Sequence, residues 1–239
     1  MTASPSVSEP IPTESGRILS KLNWLRAGVL GANDGIVSTA AIIFGIAGAS
    51  ASHSTIMLAG IAAVAAGALS MAAGEYVSVA TQRDLEVAEL ARQQADLERD
   101  PDGELRLLAR LFEQRGVEAR LASEVARQMS AKDALAVHAR AELGLDPDAV
   151  TNPWAASFAS LVAFTIGGLI PIAAMLMSPR EVEIWITGAA VVVAMALTGA
   201  VSARLGRLPL AASVFRNVAG GLLAMAITYG VGRIAGTRI

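Results

Sequence analysis

Eight side chains have the type and spacing to handle a divalent cation. Asp34 comes first, in the otherwise uncharged run Leu30-Gly31-Ala32-Asn33-Asp34-Gly35-Ile36. As the N-cap of a helix starting at Gly35, it would leave only about 15 apolar residues before Ser50, too few to cross a bilayer. A helix starting near Arg26 gives a full span instead and sets Asp34 about 12 Å inside it. A carboxylate at that depth costs a few kcal/mol and marks an ion or proton path. Met71 and Glu75 stand four apart and share one helix face. Their plain alternatives are ordinary packing for the thioether and, for the acid, an interfacial position that reaches water. Joined with Asp34 they make two carboxylates and a thioether, a set that suits a borderline divalent metal better than Mg²⁺ or Ca²⁺.

A second group follows. Glu86, Glu89, Gln93, Asp96 and Asp100 are spaced 3, 4, 3 and 4 apart and form one acidic stripe on a helix. Charge runs are usually solvated faces. Here Arg83, Arg92 and Arg99 fall off the stripe, so a bound cation would relieve the stacked like charges. Glu142, just before Leu143-Gly144, is a further ligand candidate; Glu98, Glu113, Glu118 and His138 are weaker ones. His138 reads as a surface residue of a small helix.

These side chains need elements to hold them, and the composition says which. Of 239 residues, 54% are hydrophobic and 17% charged, with a mean hydropathy of +0.52; a soluble domain carries roughly 25% charged residues. Five apolar stretches, near 27–49, 55–79, 154–177, 185–203 and 214–231, approach the roughly 20 residues a membrane helix needs. Trp24, Trp154 and Trp185 sit at span starts, where an aromatic belt belongs. Gly60, Gly67 and Gly74 read as helix-packing positions, and Pro171 as a kink in the third span. The fold class is therefore an all-α membrane protein of five transmembrane helices, with a three-helix insert between the second and third.

Thr81–Val150 holds 15 of the 21 acids and 10 of the 19 bases, a local balance of −5. Its helices are expected near 82–100, 104–115 with 117–129, and 131–143. Pro101-Asp102-Gly103 forms a turn, Gly116 a break and Ser130 an N-cap. No strong breaker separates Thr55 from Asp100, so one helix of about 46 residues, near 69 Å, can run from the second span into the insert. The expected domains are a disordered tail (1–20), a hairpin of two spans (21–80), the acidic metal-binding insert (81–150) and three further spans (151–239). Arg17, Lys21 and Arg26, then Arg83 and Arg92, then Arg204, Arg207 and Arg216 share one side if there are five spans. That side is cytoplasmic by the positive-inside rule, and it includes the amino terminus and the insert. Arg233 and Arg238 run against the rule.

Several classes are excluded. Without cysteine there is no disulfide and no thiol site. Two histidines are too few for a zinc hydrolase, and no Glu-x-x-His, Walker loop or GxSxG occurs, so the chain does not read as an enzyme. Nothing points to nucleic acid or to a prosthetic group.

Four stretches resemble the vacuolar iron transporter family of bacteria, fungi and plants. They are Asn23–Val29 with Gly31–Gly35, Ser70–Ser78, Gln82–Glu89 and Glu142–Leu145, with a weaker match from Phe215-Arg216 to Gly230. The resemblance implies a homodimer that exports Fe²⁺, and often Mn²⁺, from the cytosol in exchange for protons. Asp34 and Met71 would line the path, with Glu75 close by. Glu86 and Glu89 would be the first carboxylate pair of the insert, and Glu142 a ligand from its last helix. The family's second Glu-x-x-Glu pair is replaced by Asp96, Glu98 and Asp100, and its methionines before the last glutamate by His138 and Ala139. A bacterial inner membrane is the expected location. Two rival readings remain: a membrane-anchored metal buffer or sensor, and an oxidase of ferrous iron, which the missing Glu-x-x-His opposes.

Overall fold

The computed structural model describes residues 14–147 and 151–236. Every regular element among them is helical. The helices are α1 (Glu14–Gly48), α2 (His53–Arg99), α3 (Pro101–Gln114), α4 (Ala119–His138), α5 (Pro153–Met177), α6 (Glu183–Gly206) and α7 (Leu210–Gly236), with a π-helical turn at Ala139–Leu143 after α4. Of the tail expected over 1–20, residues 1–13 lie outside the described residues, and from Glu14 onward the described chain belongs to α1.

Two compact units divide the chain: one holds Asn23–Val77 with Pro153–Ile239, the other Ser78–Asn152 together with the first 22 residues. The first contains the five helices long and apolar enough to cross a membrane, with α1 contributing Trp24–Gly48. Their outer faces carry Leu58, Leu69, Phe158, Leu197 and Leu223, all exposed. Water would penalise such a surface; hydrocarbon accepts it.

Close backbone approaches show how these helices run. Along α1, Gly31, Gly35 and Thr39 meet Ser160, Phe164 and Gly168 of α5 in rising order, so α1 and α5 are parallel. Gly45 and Ala49 meet Gly232 and Gly236, so α7 runs the same way. Against α5, α2 is antiparallel: Gly67 lies on the Phe164 ring and Gly60 beside Ile172. Between α6 and α7 the order also reverses, Gly199 meeting Val214 and Gly221 meeting Met195. Direction thus alternates from span to span, the pattern five crossings require. A Cβ on Gly35 would strike the Phe164 carbonyl oxygen, so only glycine permits that approach. Gly74 has open space around it and is no packing position. Pro171 sits inside an unbroken α5.

At 47 residues α2 is about 70 Å long, as its lack of breakers predicts. It stops because Pro101 cannot continue it, and Asp100 caps α3 by accepting from the Gly103 N–H at 2.8 Å. Gly116, at φ +95, separates α3 from α4. The cap expected at Ser130 lies three residues later: Asp133 leaves helical geometry and its Oδ1 accepts from the Ala136 N–H at 2.9 Å. A carboxylate three residues before an amide is an N-cap within what is otherwise one helix. The insert's core is small, with Leu108, Ala109 and Ala126 buried under Leu105, Phe112 and Val137.

Candidate functional site

Asp34 lies inside α1, which is unbroken there, so it is no N-cap. Gly35 is the twelfth of 25 residues in Trp24–Gly48, and its neighbour Phe164 the twelfth of 25 in α5. The carboxylate is therefore at mid-height of the apolar unit rather than at its rim. It is exposed on the single chain, and Ser38 Oγ donates to the Asp34 carbonyl at 2.6 Å. Beside it, Asn33 Oδ1 is buried with no hydrogen-bond partner among the described residues.

Met71 and Glu75, both half-buried, are on α2. Because Gly35 and Gly67 both meet Phe164, Asp34 is level with the α2 turn around Ala68. Met71 is then about 5 Å and Glu75 about 10 Å nearer the end where α2 leaves this unit, at 1.5 Å per residue. At that end Tyr76 packs on Trp154, ring centroids 4.6 Å apart, and Ser157 Oγ donates to the Ala72 carbonyl at 2.8 Å.

In the other unit Glu86 and Glu89 line one cavity of about 540 Å³ with Leu85, Leu143 and Leu145. Gln82 Nε2 donates to Glu86 at 2.8 Å. The arginines do reach the stripe: Arg92 is 3.8 Å from Glu89, and Arg99 bonds Asp96 at 2.6 Å. Residues three apart are neighbours on a helix, and a guanidinium is long enough to swing one turn back. Asp96 and Asp100 are thus already engaged, one by Arg99 and the other as a cap. Away from the stripe, hydrogen bonds from Arg127 and Gln128 hold the Glu124 carboxyl below the ordinary carboxylate range.

The middle of the stripe turns inward. Gln93 is buried, and its Nε2 donates to Glu104 Oε2 at 3.0 Å. Glu104 Oε2 lies 3.7 Å from His138 Nδ1, and Glu142 Oε1 lies 2.6 Å from the same nitrogen. Ligand atoms of all three fall within 4.8 Å of one another. His138 is fully buried, which corrects its reading as a surface residue. The Asp133 cap starts a new helical stretch, and that stretch buries Ala136, His138 and Ala139. Its Nε2 has no hydrogen-bond partner among the described residues. Glu142 projects from the π turn, which Gly144 closes at φ +66; single π turns recur at functional sites.

This cluster can take one divalent ion. Ligands about 2.1 Å from an ion sit roughly 3 Å or more apart, so binding replaces the short His138–Glu142 hydrogen bond with two metal bonds. An imidazole with two carboxylates suits first-row metals better than Mg²⁺ or Ca²⁺. Sequence reasoning missed Glu104 and set His138 aside. The usable signal was the four-residue step from His138 to Glu142; the Glu104 partner, 34 residues away, leaves no local trace.

Known proteins match most of the chain. The sequence model of the VIT family covers residues 25–233. A vacuolar iron transporter of Acanthamoeba castellanii is 45% identical over 224 residues, covering 92% of this chain and 81% of that protein. Vacuolar iron transporter homolog 4 of Arabidopsis thaliana is 33% identical over 218 residues (91% of this chain, 86% of that one), and homolog 5 of Oryza sativa subsp. japonica is 35% identical over 218 (91% and 83%). The chain, an all-helical protein with five helices fit to cross a membrane, belongs to the VIT family, whose members are transporters rather than enzymes.

Proposed function

We propose that the chain exports divalent metal, Fe²⁺ and/or Mn²⁺, from the cytosol across its membrane by exchange for protons. The observation that carries this is Asp34: an acid at mid-height of an unbroken apolar helix, level with the α2 turn that precedes Met71. Hydrocarbon tolerates such a group when a cation or proton visits it. Membership of the VIT family and the relatives' names support the cargo.

In this reading Glu86, Glu89, Glu104, His138 and Glu142 capture metal, with Asp96 and Asp100 as outer charges. Glu75 and Met71 pass it to Asp34. Protons return over the same carboxylates, because a ligand must lose its proton to bind metal. A second copy of the chain covers Asp34, which a lone chain would expose to lipid, making a homodimer. The alternating helix directions and the flanking arginines support an amino terminus and insert in the cytoplasm.

Proton movement in reconstituted vesicles, compared across Fe²⁺, Mn²⁺, Co²⁺ and Zn²⁺, tests the reading. Metal entry should drive counter-movement of protons with Fe²⁺ or Mn²⁺. Metal flux with no proton response would remove the exchange. No flux at all would leave the membrane-anchored buffer or sensor, a reading favoured by the Glu104–His138–Glu142 cluster, whose three members all belong to the acidic unit.

A further inference from the structure

At the opposite end of the apolar unit from Tyr76 and Trp154, His53 opens α2 and Glu183 opens α6. His53 Nδ1 lies 2.7 Å from Glu183 Oε2, with the side chains 17% and 11% exposed. Among the described residues this is the one side-chain hydrogen bond or ion pair joining α2 to α6, across 130 positions of sequence. No other histidine lies in this unit. Glu183 stands in the first turn of α6, where the helix dipole favours a negative group. Imidazole is the side chain whose charge changes between about pH 5 and 8.

We propose that His53 and Glu183 form a proton-operated clasp that draws the starts of α2 and α6 together at this end of the apolar unit. When neutral, His53 donates its Nδ1 hydrogen to Glu183. A proton taken up at Nε2 turns that hydrogen bond into an ion pair, and charge-assisted hydrogen bonds are roughly twice as strong as neutral ones. Burial shields the pair from screening. Around it, the α1–α2 link supplies only hydroxyls, Ser52 bonding Ser54 and Thr55. Among the described residues the other charged groups at this end are Arg180 and Glu181 before α6 and Arg233 in the last turn of α7. All three are exposed, and none is within ion-pair distance of His53 or Glu183 among the described residues. The bearing of the clasp on transport rests on the reading above.

The chain has no cysteine, so Ser54→Cys and Glu181→Cys, both at exposed positions, introduce a unique spin-label pair into the full-length protein. The inter-label distance should shorten and narrow between about pH 7.5 and about pH 5.5. With His53→Gln, which keeps a donor but takes up no proton, the distance should stay fixed. An unchanged pH response in His53→Gln, or none with His53 present, overturns the clasp. In vesicles held at the same pH on both faces, so that no proton gradient differs between samples, lowering that pH should change wild-type Mn²⁺ flux about fivefold more than His53→Gln flux, the low end of coupling between linked sites. Flux in His53→Gln that follows the wild-type profile removes the role in transport. Absence of wild-type flux fails the transport reading instead, and the distance measurement then decides the clasp.

Discussion

The apolar unit and the acidic unit treat carboxylates in opposite ways. Among the described residues the apolar unit has two within its helices short of their ends, Asp34 and Glu75, and no ion pair except His53–Glu183. Four of its hydroxyls, on Ser38, Thr165, Ser178 and Thr228, turn back to bond carbonyls four residues earlier. Its helices meet through glycine against backbone. In the acidic unit carboxylates do everyday work: Asp100 and Asp133 cap, and Glu89, Asp96 and Glu124 pair with arginines one turn away. A lone acid in hydrocarbon is informative by itself because its cost demands a reason. One acid among fifteen is not, and only packing separates a ligand from a cap.

The sharpest structural break of this comparison is Gly35→Ala. The new methyl group meets the Phe164 carbonyl, and overpacking of this kind costs about 1–3 kcal/mol. Thermal unfolding in detergent should show the loss, while Gly74→Ala, in open space, should unfold like the wild type. Equal effects would mean that glycine contacts do not set the bundle. Next comes His138→Ala. Calorimetric titration with Mn²⁺ should show affinity falling by at least about 10–100-fold, the loss that removing even a hydrogen-bond partner of a metal ligand brings. Glu98→Gln, an exposed acid already bonded by Gln94, should leave the affinity unchanged. Similar losses in both would make the acidic unit a diffuse charge field with no centre. The smallest effect belongs to Asp100. Asp100→Ala should cost about 1 kcal/mol of cap, and Asp100→Asn almost nothing, since asparagine caps as well. A fall in metal affinity with Asp100→Asn would return this residue to the ligand set.

How far the sequence was readable follows the same division. The five spans, the long α2 and the Gly116 break were legible because each depends on local composition or on a breaker the chain contains or lacks. The mid-height position of Asp34 was legible from the length a span needs. The Ser130 cap failed because Asp133, three residues on, is an equally good capping type, and local sequence does not rank the two. Backbone spacing puts Arg92 and Arg99 off the stripe, whereas their long side chains reach across a turn. His138 was misplaced because burial depends on how α3 and α4 pack, and a short polar helix shows weak periodicity.

One paired measurement bears most directly on the mid-height carboxylate. Asp34→Ala protein in vesicles is assayed for Mn²⁺ and Fe²⁺ flux and, on the same sample, for metal binding. Flux should fall to background while binding by the acidic unit persists, because only the membrane path has lost its ligand. Undiminished flux would contradict the account, and Asp34 would then be an acid that the bundle merely tolerates.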